Sequence, residues 1–219
     1  MKKAFYLISL VSVLFVTLSG PAFALGMGFF GTLEGGSGDD WEIESPNGVS
    51  RDDYDSDVGR LGVGFVLDTA VAKDKLFNYR LNAALLGLDI ELDNPNITGK
   101  GEAELVGLAF DNTFGFGVLR SEKVRLWLGP RVRVGFYVGD TDDFSTSQDD
   151  DVAVAEFGVG GAFGANFHVG PTVSLGLETG FMISGYAGEI ETRAGNWDIE
   201  GSTASLFLNG VVLFRLSGD

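Results

Sequence analysis

The sequence predicts an all-β protein, an eight-stranded antiparallel up-and-down transmembrane β-barrel. Three observations predict it. Eight stretches alternate apolar with small or polar residues, at the period of two that a pleated strand imposes. The connectors between them are alternately long and acidic, then short, as they are when turns lie on one side of a membrane and loops on the other. The 33 glycines fall largely within these stretches, where they would weaken a soluble sheet but suit a narrow, crowded interior.

The alternation assigns the strands in order: Leu25 to Gly35, Val58 to Ala70, Leu76 to Asp93, Gly101 to Leu119, Lys123 to Gly139, Val152 to Phe167, Thr172 to Gly188 and Thr203 to Leu216. Short connectors, Val71 to Lys75, Arg120 to Glu122 and His168 to Pro171, follow the second, fourth and sixth. Gly36 to Asp57, Asp140 to Asp151 and Glu189 to Ser202 are long, and Asn94 to Lys100 is intermediate. A spanning strand needs roughly 9 to 11 residues, so eight strands and their connectors occupy residues 25–219, predicted as a single barrel domain with both termini beside the short turns.

Residues 1–24 read as a cleaved secretory signal peptide. Lys2 and Lys3 precede an apolar run from Ala4 to about Leu18, and Ala22-Phe23-Ala24 has the small-x-small form of a cleavage site. The run is shorter than the roughly 20 residues of a spanning helix. The chain has no Cys, which excludes a lipid-anchored lipoprotein, disulfides and thiolate metal sites. Without residues 1–24 the net charge falls from −16 to near −18. A chain so acidic is not predicted to bind nucleic acid.

Which face is inside follows from the fifth strand. Val124, Leu126, Leu128, Val132, Val134, Phe136 and Val138 make one face, against Arg125, Trp127, Gly129, Arg131, Arg133, Gly135 and Tyr137. Arginines interleaved with glycines fit a lumen, so the apolar face is predicted to meet lipid, the reverse of a soluble ligand-binding barrel. Leu61, Val63, Phe65 and Leu67 opposite Arg60, Gly62, Gly64 and Asp68 repeat the pattern. Phe77, Tyr79, Phe114, Phe116 and Phe167 gather toward the short-turn ends like an interfacial girdle. In the third strand the apolar parity changes from Tyr79, Leu81, Ala83 and Leu85 to Leu86, Leu88, Ile90 and Leu92, which predicts a β-bulge near Leu85 and Leu86.

With this pattern over residues 25–219, the chain resembles the small eight-stranded outer-membrane barrels of the OmpA, OmpX and opacity-protein group. The resemblance implies location in the outer membrane, periplasmic turns, contact with outer-membrane lipid and lipopolysaccharide, and insertion by the barrel-assembly machinery. It also implies a terminal aromatic residue for that machinery. Here Phe214 and Leu216 are the most similar signal, set back by Ser217-Gly218-Asp219.

The predicted lumen residues are Arg80, Arg131, Arg133 and Arg215 with Asp68, Asp89, Asp111, Glu156 and Glu178. Counting antiparallel partners from the turns puts Asp111 about level with Arg133 and Glu156 about one residue away. Unpaired charges in a narrow lumen cost several kcal/mol, so these groups are expected to form an ion-pair network that plugs the barrel. The alternative is a narrow channel in which the same charges gate ions or small solutes. A lipid-modifying barrel enzyme is a lesser alternative. The resemblance implies that such enzymes use His, Ser and an acid near the outer leaflet, whereas His168, the one His, lies in a predicted periplasmic turn. No catalytic role and no cofactor are expected.

Acidic residues crowd two connectors: Asp39, Asp40, Glu42, Glu44, Asp52, Asp53, Asp55 and Asp57 in the first, and Asp140, Asp142, Asp143, Asp149, Asp150 and Asp151 in the third. Asp53-x-Asp55-x-Asp57 echoes a calcium loop, but Val58 replaces the turn Gly and no Glu closes it. A solvated charge brush is one reading. Weak binding of Ca²⁺ or Mg²⁺ at Asp53, Asp55, Asp57, Asp140, Asp142 and Asp143 is the other. Trp41, Tyr54, Phe144 and Trp197 are either loop-packing anchors or contacts for an extracellular partner. The protein is expected to be a monomer with a structural or surface-interaction role.

Overall fold

In the computed structural model, which describes residues 25–46, 48, 50–69, 76–93, 100–142, 150–192 and 195–216, the alternating stretches pair in chain order and close on themselves. The strands are β1 (Gly26–Glu44), β2 (Ser50–Asp68), β3 (Phe77–Asp93), β4 (Lys100–Arg120), β5 (Val124–Asp142), β6 (Asp150–His168), β7 (Val173–Thr192) and β8 (Gly195–Arg215). Each pairs antiparallel with its neighbours, and β1 with β8 completes the ring, so no edge is left open. The predicted signal segment, the 70–75 turn and the C-terminal 217–219 lie outside the described residues.

The register fixes the barrel's shape. From Gly35 the row of direct partners runs through Gly59, Asp89, Glu104, Asp140, Asp151 and Glu191 to Asn196, while Gly35 itself pairs with Leu206 across the closure. The row therefore climbs ten residues in one circuit. With strands about 4.8 Å apart and rising about 3.3 Å per residue, this shear tilts them by about 40°.

Outward and inward positions alternate as the apolar pattern requires. Leu61 is 70% exposed, Phe65 65% and Leu206 70%, and similar residues continue around the wall through Val106, Leu108, Phe136, Phe157, Phe181 and Ile183. An apolar outer face on every strand, around an interior of charged side chains, is the arrangement of a barrel in hydrocarbon. Phe77 packs on Phe116 and Tyr79 on Phe114 at the short-turn end, with ring centroids 5.6 and 5.5 Å apart.

Two expectations are overturned. The β-bulge near Leu85 and Leu86 is absent: β3 pairs without a shift with β2 from Asp93 to Arg80 and with β4 from Phe77 to Asp93. Parity is constant, and the chemistry of the two faces changes instead. Toward the short turns, Arg80 and Asn82 point in and Leu81 and Leu85 point out; toward the loops, Leu86, Leu88, Ile90 and Leu92 point in and Asp89, Glu91 and Asp93 point out. Register shifts occur instead between β1 and β2, with an extra residue on β1 between Gly38 and Trp41 and one on β2 between Tyr54 and Arg51.

The same swap explains the second difference. Most of the predicted long connectors Gly36 to Asp57 and Glu189 to Ser202 is strand, since β1 runs to Glu44, β2 starts at Ser50, β7 runs to Thr192 and β8 starts at Gly195. These extensions escape a search for outward apolar residues because their apolar residues face inward. Trp41 and Tyr54 are direct partners buried inside the barrel, not loop anchors, and Trp41 stacks on Tyr186 at 5.2 Å over Gly201, where any Cβ would strike the indole. Trp197 packs half-buried against the same cluster, and Phe144 lies outside the described residues. The barrel thus has an apolar exterior in its lower half and an apolar interior in its upper half.

Spin labels along β3 test this. Labels at Leu81 and Leu85 should be relaxed by lipid-soluble oxygen, and labels at Asp89 and Asp93 by a water-soluble nickel chelate. On β5, labels at Val132 and Val134 should meet lipid while those at Arg131 and Arg133 meet neither agent. An oxygen-accessible outer face continuing through Asp93 would contradict the swap.

Candidate functional site

The lower lumen holds every buried charge among the described residues: Arg60, Arg80, Arg125, Arg131 and Arg133 with Glu34, Asp68, Asp111, Glu156 and Glu178. Five guanidinium groups face five carboxylates, so the interior is neutral without mobile ions. Strand alternation places them, because each occupies an inward position between residues facing lipid. Small inward neighbours make room. At Gly164, for instance, any Cβ would collide with the Trp127 ring over which Arg80 lies, 4.7 Å from the ring centroid.

The network has two tiers. In the upper one, Arg60 donates to Glu34 Oε1 at 2.5 Å, to Glu156 Oε1 at 3.0 Å and to the Tyr186 hydroxyl. Arg133 grips Asp111 with two hydrogen bonds, 2.6 and 3.0 Å, and reaches across the lumen to Glu34 Oε2 at 2.7 Å. Tyr137 donates to Glu156 at 2.7 Å and Ser205 to Glu34 at 2.6 Å. In the lower tier, Arg80 binds Asp68 at 2.7 and 3.0 Å, Glu178 at 3.0 Å and Asn166 at 3.0 Å. Arg131 pairs with Glu178, bonds Thr113 at 3.0 Å, and meets Asp111 at 3.5 Å, which joins the tiers. All eight strands contribute at least one member, from Glu34 on β1 to Ser205 on β8.

Above the network the lumen is apolar. Trp41, Ile43, Tyr54, Leu88, Ile90, Leu92, Leu105, Val152, Ile190 and Ile199 are buried there in one cluster. An apolar layer thus sits over the charged network.

Of the predicted lumen residues, the structure brings together Asp68, Arg80, Asp111, Arg131, Arg133, Glu156 and Glu178. Asp111 and Arg133 are direct cross-strand partners, and Glu156 pairs with Gly135, two positions along β5 from Arg133. Arg215 is not in the network. Its strand position is two beyond Leu213, at the short-turn rim, where it donates to His168 Nδ1 at 2.6 Å. Asp89 faces out, since the bulge that would have turned it inward is absent. Glu34 and Arg60 complete the upper tier and were not predicted as a pair. They are direct partners, but only with β1 and β2 at their full length can that register be counted from the turn.

Of the predicted cation residues, the described side chains of Asp55, Asp57 and Asp140 are not brought together. Asp55 and Asp57 lie exposed on the outer face of β2 and Asp140 on that of β5, with β3 and β4 between them. The side chains of Asp53 and Asp142, and all of Asp143, lie outside the described residues. His168 Nδ1 also lies 2.8 Å from Ser174 Oγ, so serine and guanidinium share the ring nitrogen to which a catalytic triad gives its carboxylate.

The sequence matches no family model and no curated protein. Among solved structures, the chain is similar to the outer membrane protein OprG of Pseudomonas aeruginosa, at 13% identity and a TM-score of 0.62 over 87% of this chain and 96% of that one. The outer membrane protease OmpT of Escherichia coli (10% identity, TM-score 0.46, 90% and 99% covered) and Neisserial surface protein A (14%, 0.35, 86% and 97%) overlap more loosely. The likeness to OprG establishes the fold, which is that of an outer-membrane β-barrel.

Arg133→Ala would leave both Asp111 and Glu34 buried with a lost partner. We expect a loss of about 3 to 5 kcal/mol, read as a lower urea midpoint for unfolding from lipid vesicles. Arg133→Lys should recover only part of it, since an ammonium cannot reproduce the two-pronged contact with Asp111. A wild-type midpoint and slope for Arg133→Ala would show that the network does not hold the barrel.

Proposed function

We propose that this chain is an outer-membrane barrel with a sealed interior, acting as a structural element or through its outer and cell-surface faces. The observation that carries this reading is the two-layer lumen: a neutral, cross-bonded ion network beneath an apolar cap of fully buried side chains such as Trp41, Leu88 and Leu92. A hydrated ion would have to break paired charges and then cross a dry segment, so conduction is disfavoured twice. An eight-stranded interior is itself only wide enough to be filled by side chains.

Its membrane address is supported by the lipid-facing band and the fold. Lipid and lipopolysaccharide are then its surroundings, the assembly machinery its partner during insertion, and a monomer its form. Catalysis is disfavoured because His168 is engaged by Arg215 at the short-turn end. Weak Ca²⁺ or Mg²⁺ binding and an extracellular partner remain readings of the loop-side carboxylates.

Planar-bilayer recording tests the sealed lumen. The wild type should show no discrete conductance, and Arg133→Ala alone should stay closed because the apolar cap remains. Combining it with Leu88→Ser and Leu92→Ser should produce openings. Stable single-channel steps from the wild type would favour the narrow-channel reading.

A further inference from the structure

Like-charged carboxylates face one another around much of the loop-side rim, as in Asp140 with Asp151 and Glu189 with Asp198, and on β2, β3 and β4 they stand above an apolar hollow. Just beyond the apolar band, like charges stand directly opposite one another: Asp55 pairs with Asp93, Asp57 with Glu91, Asp89 with Glu104 and Glu91 with Glu102. Such pairs repel, and here they are exposed on the outside of the wall. They border a cavity of about 520 Å³ lined by Asp55, Asp57, Glu91 and Asp93 with Ser37 and Ser56.

Lower on the same strands lies a second hollow, apolar and about 540 Å³. It exists because Ala83, facing out on β3, is short while its direct partners Phe65 and Phe110 are tall. Phe29, its ring 4.9 Å from that of Phe65, extends one wall, and Leu85 and Leu108 line the upper part. Between hollow and cavity the outward positions include Gly59 and Gly87. A Cβ on Gly87 would meet nothing nearer than 3.8 Å and one on Gly59 nothing nearer than 4.0 Å, so packing does not require glycine at either. Each lies beside a projecting side chain, Gly87 beside Leu61 and Gly59 beside Asp89, so the wall is lowered on one strand at each level.

We propose that this face docks an amphiphile, its alkyl chain in the Ala83 groove and a positively charged amine head among Asp55, Asp57, Glu91 and Asp93. The groove is continuous with the lipid-facing band, which makes its occupant a membrane lipid. The carboxylates select the charge of its head. About six residues on β2, from Asp57 to Val63, separate head from groove, roughly 20 Å along the strand, a span suited to a long-chain lipid. The inference rests on the membrane-spanning reading and deepens it by naming a lipid class.

Electron spin resonance of the barrel in phosphatidylcholine vesicles at pH 7, doped in turn with spin-labelled stearylamine, stearyl phosphate or phosphatidylcholine, tests the proposal. Stearylamine should be enriched several-fold over phosphatidylcholine in the motionally restricted lipid. Asp57→Asn combined with Glu91→Gln and Asp93→Asn should abolish the enrichment, and Ala83→Phe, which fills the groove, should at least halve it. All four side chains face outward, so the fold is retained. Enrichment untouched by Ala83→Phe would reduce the effect to surface attraction and overturn the site. Enrichment of stearyl phosphate only with Ca²⁺, without preference for stearylamine, would overturn it in favour of a cation-bridged anionic lipid. Equal distribution of all three lipids would overturn it outright. The absence of any restricted lipid would instead overturn the membrane reading on which it rests.

Discussion

A guanidinium ion enclosed in an eight-stranded barrel must find its counter-ions on other strands of the same ring. That constraint organises this protein. Arg133 on β5 bonds Asp111 on the neighbouring β4 and Glu34 on β1, half the ring away. Arg60 joins β2 to β1, β6 and β7, and Arg80 joins β3 to β2, β6 and β7. Backbone ladders connect only neighbours, so these side chains supply the cross-lumen ties. Because a slip of one residue would turn each inward charge toward lipid, they also hold the register.

The two halves of the barrel are held by different forces. Surrounded by lipid, the lower half gains little from placing apolar residues inside rather than outside, and its interior is tied by charge-assisted hydrogen bonds. The upper half is wetted on its outer face by Asp57, Glu91, Glu104 and their neighbours, so there the hydrophobic effect acts as in a soluble protein. Each buried Leu, Ile or Val in its lumen contributes roughly 1.5 to 3 kcal/mol, and the cluster from Trp41 to Ile199 is correspondingly dense. One ladder of strands passes through both regimes without changing parity.

This explains what could be read in the sequence. Lower-half strands were legible because apolar residues facing lipid alternate with Arg, Gly and Asp, as in Leu61 to Asp68 and Val124 to Val138. The core of the ion network was legible for the same reason, parity alone placing Arg133 and Asp111 inside. The upper half misled because its code is inverted: Leu86, Leu88, Ile90 and Leu92 continue an apolar alternation on the opposite face, and a sequence pattern cannot distinguish an inverted code from an inserted residue. The Glu34–Arg60 pair was hidden behind the same error, since strands cut short at Gly35 and Val58 offer no register to count.

The inversion also sets the depth at which the barrel rests. Moving it toward the short-turn side by two residues would carry Asp57, Asp89 and Glu104 into the space held by Gly59, Gly87 and Val106, against hydrocarbon. Moving it the other way would lift Leu61, Leu85 and Leu108, each more than half exposed on the outer face, into the polar layer. Acidic groups pay a depth-dependent penalty in the bilayer, and each large apolar side chain resists wetting by a comparable amount. With the carboxylates beginning where the apolar run ends on β2, β3 and β4, both penalties rise from the same level. At the other end Phe77, Tyr79, Phe114 and Phe116 favour the interface. The barrel is therefore pinned along its axis from both sides, and the Ala83 groove is held at a fixed depth beneath the carboxylates above it.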